Sequence, residues 1–192
     1  MREHGVLRRI LIVYRETAPL VRSSPPSLDL GGLSEAADLF RTFGEDYHER
    51  RLEEEHVFPA LRRAGGEAAG LLDTLLAQHQ RGRDLNAFIR AKCASGKLAS
   101  GDAEPLGRAL ETFARMYEAH TAYEDTIVFQ AWKKTMSAAQ LHDTGERFEA
   151  IEREQFKGDG FDLAVDQVAS IEQRLGLHDL ARFTAAPLAP PP

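Results

Sequence analysis

The chain has 192 residues, 43% of them hydrophobic and 28% charged, the length and balance of one globular domain or of one domain with an appendage. A net charge of −6 without a basic stripe argues against nucleic acid as a partner. The single Cys93 excludes an internal disulfide framework and a Cys-rich zinc or iron–sulfur site, and points to a reduced, cytoplasmic setting.

Val6, Leu7, Ile10, Leu11, Val13 and Tyr14 recur at helical spacing, which predicts a first helix over residues 2–18 stopped by Pro19. Arg8-Arg9 interrupts this apolar stretch, so it is not expected to be a signal peptide. No apolar run nears the ~20 residues of a membrane span. Residues 19–32 are rich in helix breakers and predict a loop. Ser34 or a neighbour is then expected to cap a long second helix running through Leu39, Phe43, Tyr47, Leu52, Val57 and Leu61 to Gly65-Gly66. The third predicted helix covers Glu67 to Cys93. The fourth covers Asp102 to Trp132, with Pro105 in its first turn, where a missing N–H costs little. Shorter helices follow over 137–155 and 161–175, with Gly176 as a C-terminal stop, and a Pro-rich tail over 186–192 expected to be disordered. No strand pattern competes. The expected architecture is an all-α, antiparallel up-down four-helix bundle with short extra C-terminal helices.

Within the fourth helix, His120 and Glu124 lie four residues apart and share a face with Phe113, Met116, Tyr117, Ile127 and Val128. That face should point inward, and a buried imidazole beside a buried carboxylate needs a partner, of which a metal ion is one. Each long helix carries a histidine: His4, His48, His79 and His120. Counting ~1.5 Å per residue up one helix and down the next brings them to nearly one height, the worst mismatch being about four residues, roughly 6 Å. An internal echo aligns Glu53 through Val57-Phe58 with Glu124 through Val128-Phe129. The pairing is imperfect, because His48 and Glu53 are five apart, about 140° around a regular α-helix. A π-bulge would let both point inward; otherwise Glu49 or Glu55 serves as the second-helix carboxylate. Four imidazoles and two carboxylates without a thiolate suit iron better than a soft-metal site. Six ligands exceed a tetrahedral zinc site and fit two metals, with Glu53 and Glu124 bridging; a mononuclear iron, manganese or zinc site is the alternative.

Arg2-Glu-His4-Gly-Val-Leu7, Glu45-Asp-Tyr-His48-Glu through Val-Phe-Pro59, Ala77-Gln-His79-Gln, and His120-x3-Glu124-Asp followed by Val-Phe resemble the motifs of the haemerythrin-like family, the HHE cation-binding domain. The resemblance covers residues 1–155. It implies an up-down four-helix bundle around a non-haem, oxo- or hydroxo-bridged pair of irons with His4, His48, Glu53, His79, His120 and Glu124 as metal ligands, and O₂, H₂O₂ or NO as the small partner. The chain departs from the oxygen-carrying members at the third helix, where Leu75 and Arg83 flank His79 at four residues and the His-x3-His pair is missing. That leaves room for a tyrosinate or water and favours peroxide handling, as in a catalase, or sensing over oxygen carriage. The alternative is a non-enzymatic iron-binding, storage or sensing protein; a metal-free helical interaction module is a third reading. Residues 156–192 form an appendage, read as a lid across one bundle end or a dimer contact in a monomer or homodimer. Tyr117 is one turn from His120 and is a candidate site-lining residue. His56, His142 and His178 are read as outer residues, Arg50, Arg51, Glu54, Glu55, Arg81 and Arg83 as a solvated face, and Cys93 as a small buried hydrophobe.

Overall fold

The computed structural model describes residues 2–23, 28–99 and 101–187, which are almost wholly helical, with no strand among them. Helix α1 is Glu3–Ser23. Helix α2 covers residues 30–64: Leu30–Leu39 and Phe58–Ala64 are α-helical, and Phe40–Val57 between them is π-helical. Helix α3 opens with a 3₁₀ turn at Ala68–Leu71 and continues as Leu72–Cys93. Helix α4 comprises Ala103–Tyr123, a π-helical turn at Glu124–Val128, and Phe129–Lys133. Helices α5, Ala138–Phe156, and α6, Gly160–Arg174, follow. No helix among the described residues is long and apolar enough to cross a membrane.

Two expected boundaries move. Pro19 does not stop α1, which continues to Ser23. Pro19 and Arg15, whose carbonyl loses its i+4 donor, both face solvent, where water satisfies the carbonyl. Val21 beyond it is fully buried and holds the extra turn in the core. Ser34 is not the cap of α2. Asp29 is, its side chain accepting from the Gly32 N–H at 3.1 Å, so the helix starts one turn earlier. Ser137 and Gln140 form a reciprocal capping box at α5. Gly176, at φ 70°, ends α6 as expected: its own N–H bonds Gln173 and the Leu177 N–H bonds Glu172. Of the expected disordered tail, residues 188–192 lie outside the described residues.

Helices α1, α4, α3 and α2 each pack against the next, and α1 closes on α2. Helix α6 lies against both α1 and α2, and α5 covers the π-helical part of α2. Ala164, Val168 and Ile171 of α6 and the following Leu177 belong to the same apolar cluster as Val6, Ile10, Phe40 and Phe113. Arg9 donates through two nitrogens to Glu172 and fixes the register of α6 on α1. A second, smaller cluster gathers Val57, Phe58, Leu61, Leu72, Leu75, Val128, Phe129 and Trp132. The boundary between the two clusters falls at Glu53 on α2, His79 on α3 and His120–Glu124 on α4. The apolar core is therefore interrupted by one polar layer.

Just beyond that layer, α3 and α4 meet at Gly82, where a Cβ would lie 2.0 Å from the Tyr117 hydroxyl. Alanine usually stabilises a helix interior over glycine by about 1 kcal/mol. Here the clash reverses the sign: Gly82→Ala is expected to cost about 1–3 kcal/mol through overpacking, read as a lower denaturant midpoint. An unchanged or raised midpoint would show that the close approach is not maintained.

Candidate metal centre

The six residues singled out from the sequence meet in the polar layer. His4, His48, Glu53 and Glu124 bring ligand atoms within 4.8 Å of one another, and so do Glu53, His79, His120 and Glu124. All six are buried. The two groups share both carboxylates, and the sharing is oxygen by oxygen. Glu53 Oε1 faces His48 Nε2 at 3.2 Å, and its Oε2 faces His79 Nε2 at 3.3 Å. Glu124 Oε2 faces His4 Nε2 at 3.5 Å, and its Oε1 faces His120 Nε2 at 3.1 Å. Each carboxylate thus spans two histidine pairs, His4 with His48 and His79 with His120.

Local helix geometry explains how α2 presents both His48 and Glu53. In its π-helical stretch the buried pairs Tyr47-His48, Leu52-Glu53 and Val57-Phe58 recur every five residues. A turn closed by i→i+5 bonds keeps them on one face. The Phe58 N–H bonds the Glu53 carbonyl, and the Phe129 N–H bonds the Glu124 carbonyl, so the two glutamates of the internal echo occupy the same backbone setting. Glu49 is buried but points elsewhere, accepting from the Tyr117 hydroxyl at 2.6 Å and from Arg83 at 3.2 Å, and Glu55 is exposed.

The outer ring nitrogens set the tautomers. His4 Nδ1 lies 3.0 Å from Asp125, His79 Nδ1 2.8 Å from Glu54, and His120 Nδ1 2.9 Å from the Gln78 side-chain oxygen. These acceptors require an N–H on Nδ1, which leaves the Nε2 lone pairs directed inward. Paired Nε2 atoms then face each other at 2.9 Å (His4 and His48) and 3.2 Å (His79 and His120). Lone pairs so close repel unless a proton or a cation lies between them. Neither oxygen of Glu53 or Glu124 has a hydrogen-bond partner among the described residues, and His48 Nδ1 has none either. Buried oxygens are rarely left so. The donor set therefore fits cations.

Protons can also occupy such positions, and the charges around each group decide which ones hold them. Burial and the neighbouring His48 push His4 down to about 3. Burial also opposes charge on His48, but the Glu53 carboxylate outweighs it and raises this imidazole to about 9. His79 is raised too, burial being overcome by Glu49, Glu53 and Glu54. Glu53 is held below the usual carboxylate range, against its burial, by His48 and His79. Burial and the charge of Glu53 raise Glu124. The hydrogen bond from His79 holds Glu54 down at about 2.

Sequence reasoning misplaced two groups. Glu54 and Arg83, read as part of a solvated face, form a chain behind His79: Arg83 pairs with both Glu49 and Glu54, and Glu54 accepts from His79. Charge alone made them look exposed; Arg83 sits four residues after His79 on α3, which was the available signal. Tyr117 does line the site, its ring edge-on to His120 at 5.3 Å between centroids. His56 packs on Phe148 away from the cluster, and His142 and His178 are exposed. Cys93 is buried as expected, and burial pushes its thiol up to about 12.

Two outcomes follow. A cation held by His48 and His79 would displace their protons, so metal affinity should rise with pH between about 6 and 9, with protons released on binding; calorimetric titration in that range checks this, and a pH-independent affinity contradicts it. Glu54→Gln should weaken metal binding roughly 10–100-fold by loosening His79, measured by competition with a chelator, while unchanged affinity would make Glu54 a bystander.

The chain matches the Hemerythrin HHE cation binding domain over residues 1–132. It is 42% identical over 185 residues to the uncharacterized proteins Rv1995 of Mycobacterium tuberculosis and Mb2018 of Mycobacterium bovis, across 96% of this chain and 71% of each relative. No solved structure matches it. With a family match over most of its length and buried His/Glu clusters able to hold a metal, the chain belongs to the hemerythrin HHE cation-binding family.

Proposed function

We propose that the chain is a cytoplasmic non-haem di-iron protein that binds or reacts with O₂, H₂O₂ or NO, with catalase-like peroxide turnover as the first activity to assay. In this reading residues 1–155 are the bundle domain, in which α1–α4 form an antiparallel up-down four-helix bundle, and residues 156–192 are an appendage whose helix α6 packs against α1 and α2. One iron would be held by His4, His48, Glu53 and Glu124, and the other by His79, His120 and the same two glutamates. The observation that carries the proposal is the oxygen-by-oxygen sharing: each carboxylate turns one oxygen to each histidine pair, which a single metal position would not need. The all-nitrogen and oxygen donor set, without thiolate, supports iron.

Bound there, the irons supply redox change and Lewis-acid positions for a small oxidant or diatomic ligand. The protein's own share is orientation and exclusion of water. Asp125, Glu54 and Gln78 hold three imidazoles with Nε2 inward. Phe58 stacks on His79 and Phe129 packs beside His4, closing the layer from the side of the smaller cluster. Tyr117, fixed by Glu49, closes it from the other. Four imidazoles make fewer charges to neutralise than an all-carboxylate site, and the two shared glutamates balance part of the charge of two cations.

Metal analysis with absorption spectra before and after anaerobic reduction and exposure to O₂ or H₂O₂ tests the reading. About two irons per chain with near-UV charge-transfer bands are expected for this donor set; one zinc per chain and no such bands would sink it. His120→Ala should lose metal and, because metal binding contributes folding free energy, stability as well. Full iron retention in that variant would mean that the site lies elsewhere.

A further inference from the structure

Glu152 lies on α5, outside the four long helices, yet it is only 5% exposed. Its carboxylate accepts from three other elements. Oε2 accepts from the Arg2 guanidinium at 2.9 Å and, at a longer 3.4 Å, from the Tyr47 hydroxyl, while Oε1 accepts from the Phe161 N–H at 2.7 Å. Phe161 is the second residue of α6, so this last bond satisfies a helix-start N–H that has no partner within its own helix. Arg2 lies two residues before His4, and Tyr47 directly precedes His48. Both therefore adjoin one histidine pair, and among the described residues no hydrogen-bond partner of Glu152 adjoins His79 or His120 in the chain. We propose that Glu152 is a positioning residue for the His4–His48 half of the polar layer, tying the start of α1 and the ring of Tyr47 to the corner between α5 and α6. This rests on the metal reading above and extends the supports of the site to α5.

These two histidines need support that the other two do not. His79 and His120 stand well inside α3 and α4, and each has an acceptor on Nδ1. His4 is the second residue of α1, and the first turn of a helix opens most easily because its N–H groups lack intrahelical partners. Arg2 restrains that turn twice, through Glu152 and over the Phe161 ring at 4.5 Å from its centroid. The Arg2 side chain is half exposed, but its charge-assisted bond ends on a buried carboxylate, which is itself held by a backbone N–H. His48 is the one ring of the four whose Nδ1 has no hydrogen-bond partner among the described residues. Its placement is left to its backbone and to packing, and the adjacent Tyr47 is buried, edge-on to Phe156 at 5.2 Å and bonded at its hydroxyl to Glu152.

Nitrogen-15 NMR of the histidine rings in the full ion-free chain, together with cobalt(II) titration against a chelator, tests this. In Glu152→Gln the ring signals of His4 and His48 should shift or broaden while those of His79 and His120 stay. Arg2→Gln should move His4 more than His48, and Tyr47→Phe the reverse. Glu172→Gln is the control: it breaks the Arg9 pairing and loosens α6 from α1 away from Glu152, and it should leave all four rings in place. With cobalt(II), the unaltered chain should take up two ions, and Glu152→Gln should weaken one of them about tenfold and spare the other. Unmoved His4 and His48 signals, equal shifts at all four rings, the same pattern in Glu172→Gln, or equal weakening of both ions would each overturn the proposal. If Glu152→Gln loses its far-UV circular dichroism, Arg2→Gln and Tyr47→Phe decide by the same ring signals. An unaltered chain that takes up no cobalt removes the metal reading, while the ring signals still decide whether Glu152 places the two imidazoles.

Discussion

The structure depends on a layer of four imidazoles and two carboxylates that have little but one another in the middle of an apolar core. Moving ions of this size out of water costs several kcal/mol each, of order 20 in the idealised limit. Among the described residues, the oxygens of Glu53 and Glu124 recover none of it through hydrogen bonds. The layer also divides what would be one apolar cluster into two, giving up contacts a continuous core would have made. Stability alone would not select such an arrangement; a well-packed apolar layer of similar volume would be at least as good. The compensation has to come from cations, whose binding becomes folding free energy once the ligands are gathered.

The same constraint accounts for the least regular backbone in the molecule. A π-helical turn is a poorer choice than an α-turn in most sequences and mostly occurs as a single bulge. In α2 it extends over Phe40–Val57, and in α4 it returns for one turn at Glu124–Val128. Both stretches end on the same step, a phenylalanine N–H bonding the carbonyl of a site glutamate. In α2 this geometry lets Tyr47, Leu52 and Val57 pack in the core while the adjacent His48, Glu53 and Phe58 face the site. An α-helix would have had to turn one of His48 and Glu53 away.

This also marks how far the sequence could be read. Helix number and the inward histidines were legible because they depend on apolar periodicity, and that survives errors at the ends. Helix α1 runs past Pro19 and α2 begins before Ser34; both helices lengthen at the same end, so the heights of His4 and His48 still match. The second-helix carboxylate was not legible from α-helical spacing. The internal echo with Val128-Phe129 pointed to Glu53 instead, and the repeat of buried pairs every five residues shows how the helix turns it inward. Glu54 and Arg83 were missed for another reason. Their charges suggested water, whereas a charged group a turn away from a buried histidine has a partner close by.

The outer partners differ from ring to ring although the inward-facing donor atoms are the same. His4 and His79 lean on carboxylates, Asp125 and Glu54, which draw the Nδ1 proton and make the imidazole a stronger donor. His120 leans on the neutral amide of Gln78, and His48 Nδ1 has no hydrogen-bond partner among the described residues. Each histidine pair therefore combines one carboxylate-backed ring with one weaker donor, which keeps the two positions similar in charge. His120 lines a half-open apolar groove between α3 and α4, while His4 is backed by Asp125, which pairs with Arg8. All four rings are nonetheless buried, so the two positions are alike in donors, and a cation at either would meet two imidazole nitrogens and two carboxylate oxygens.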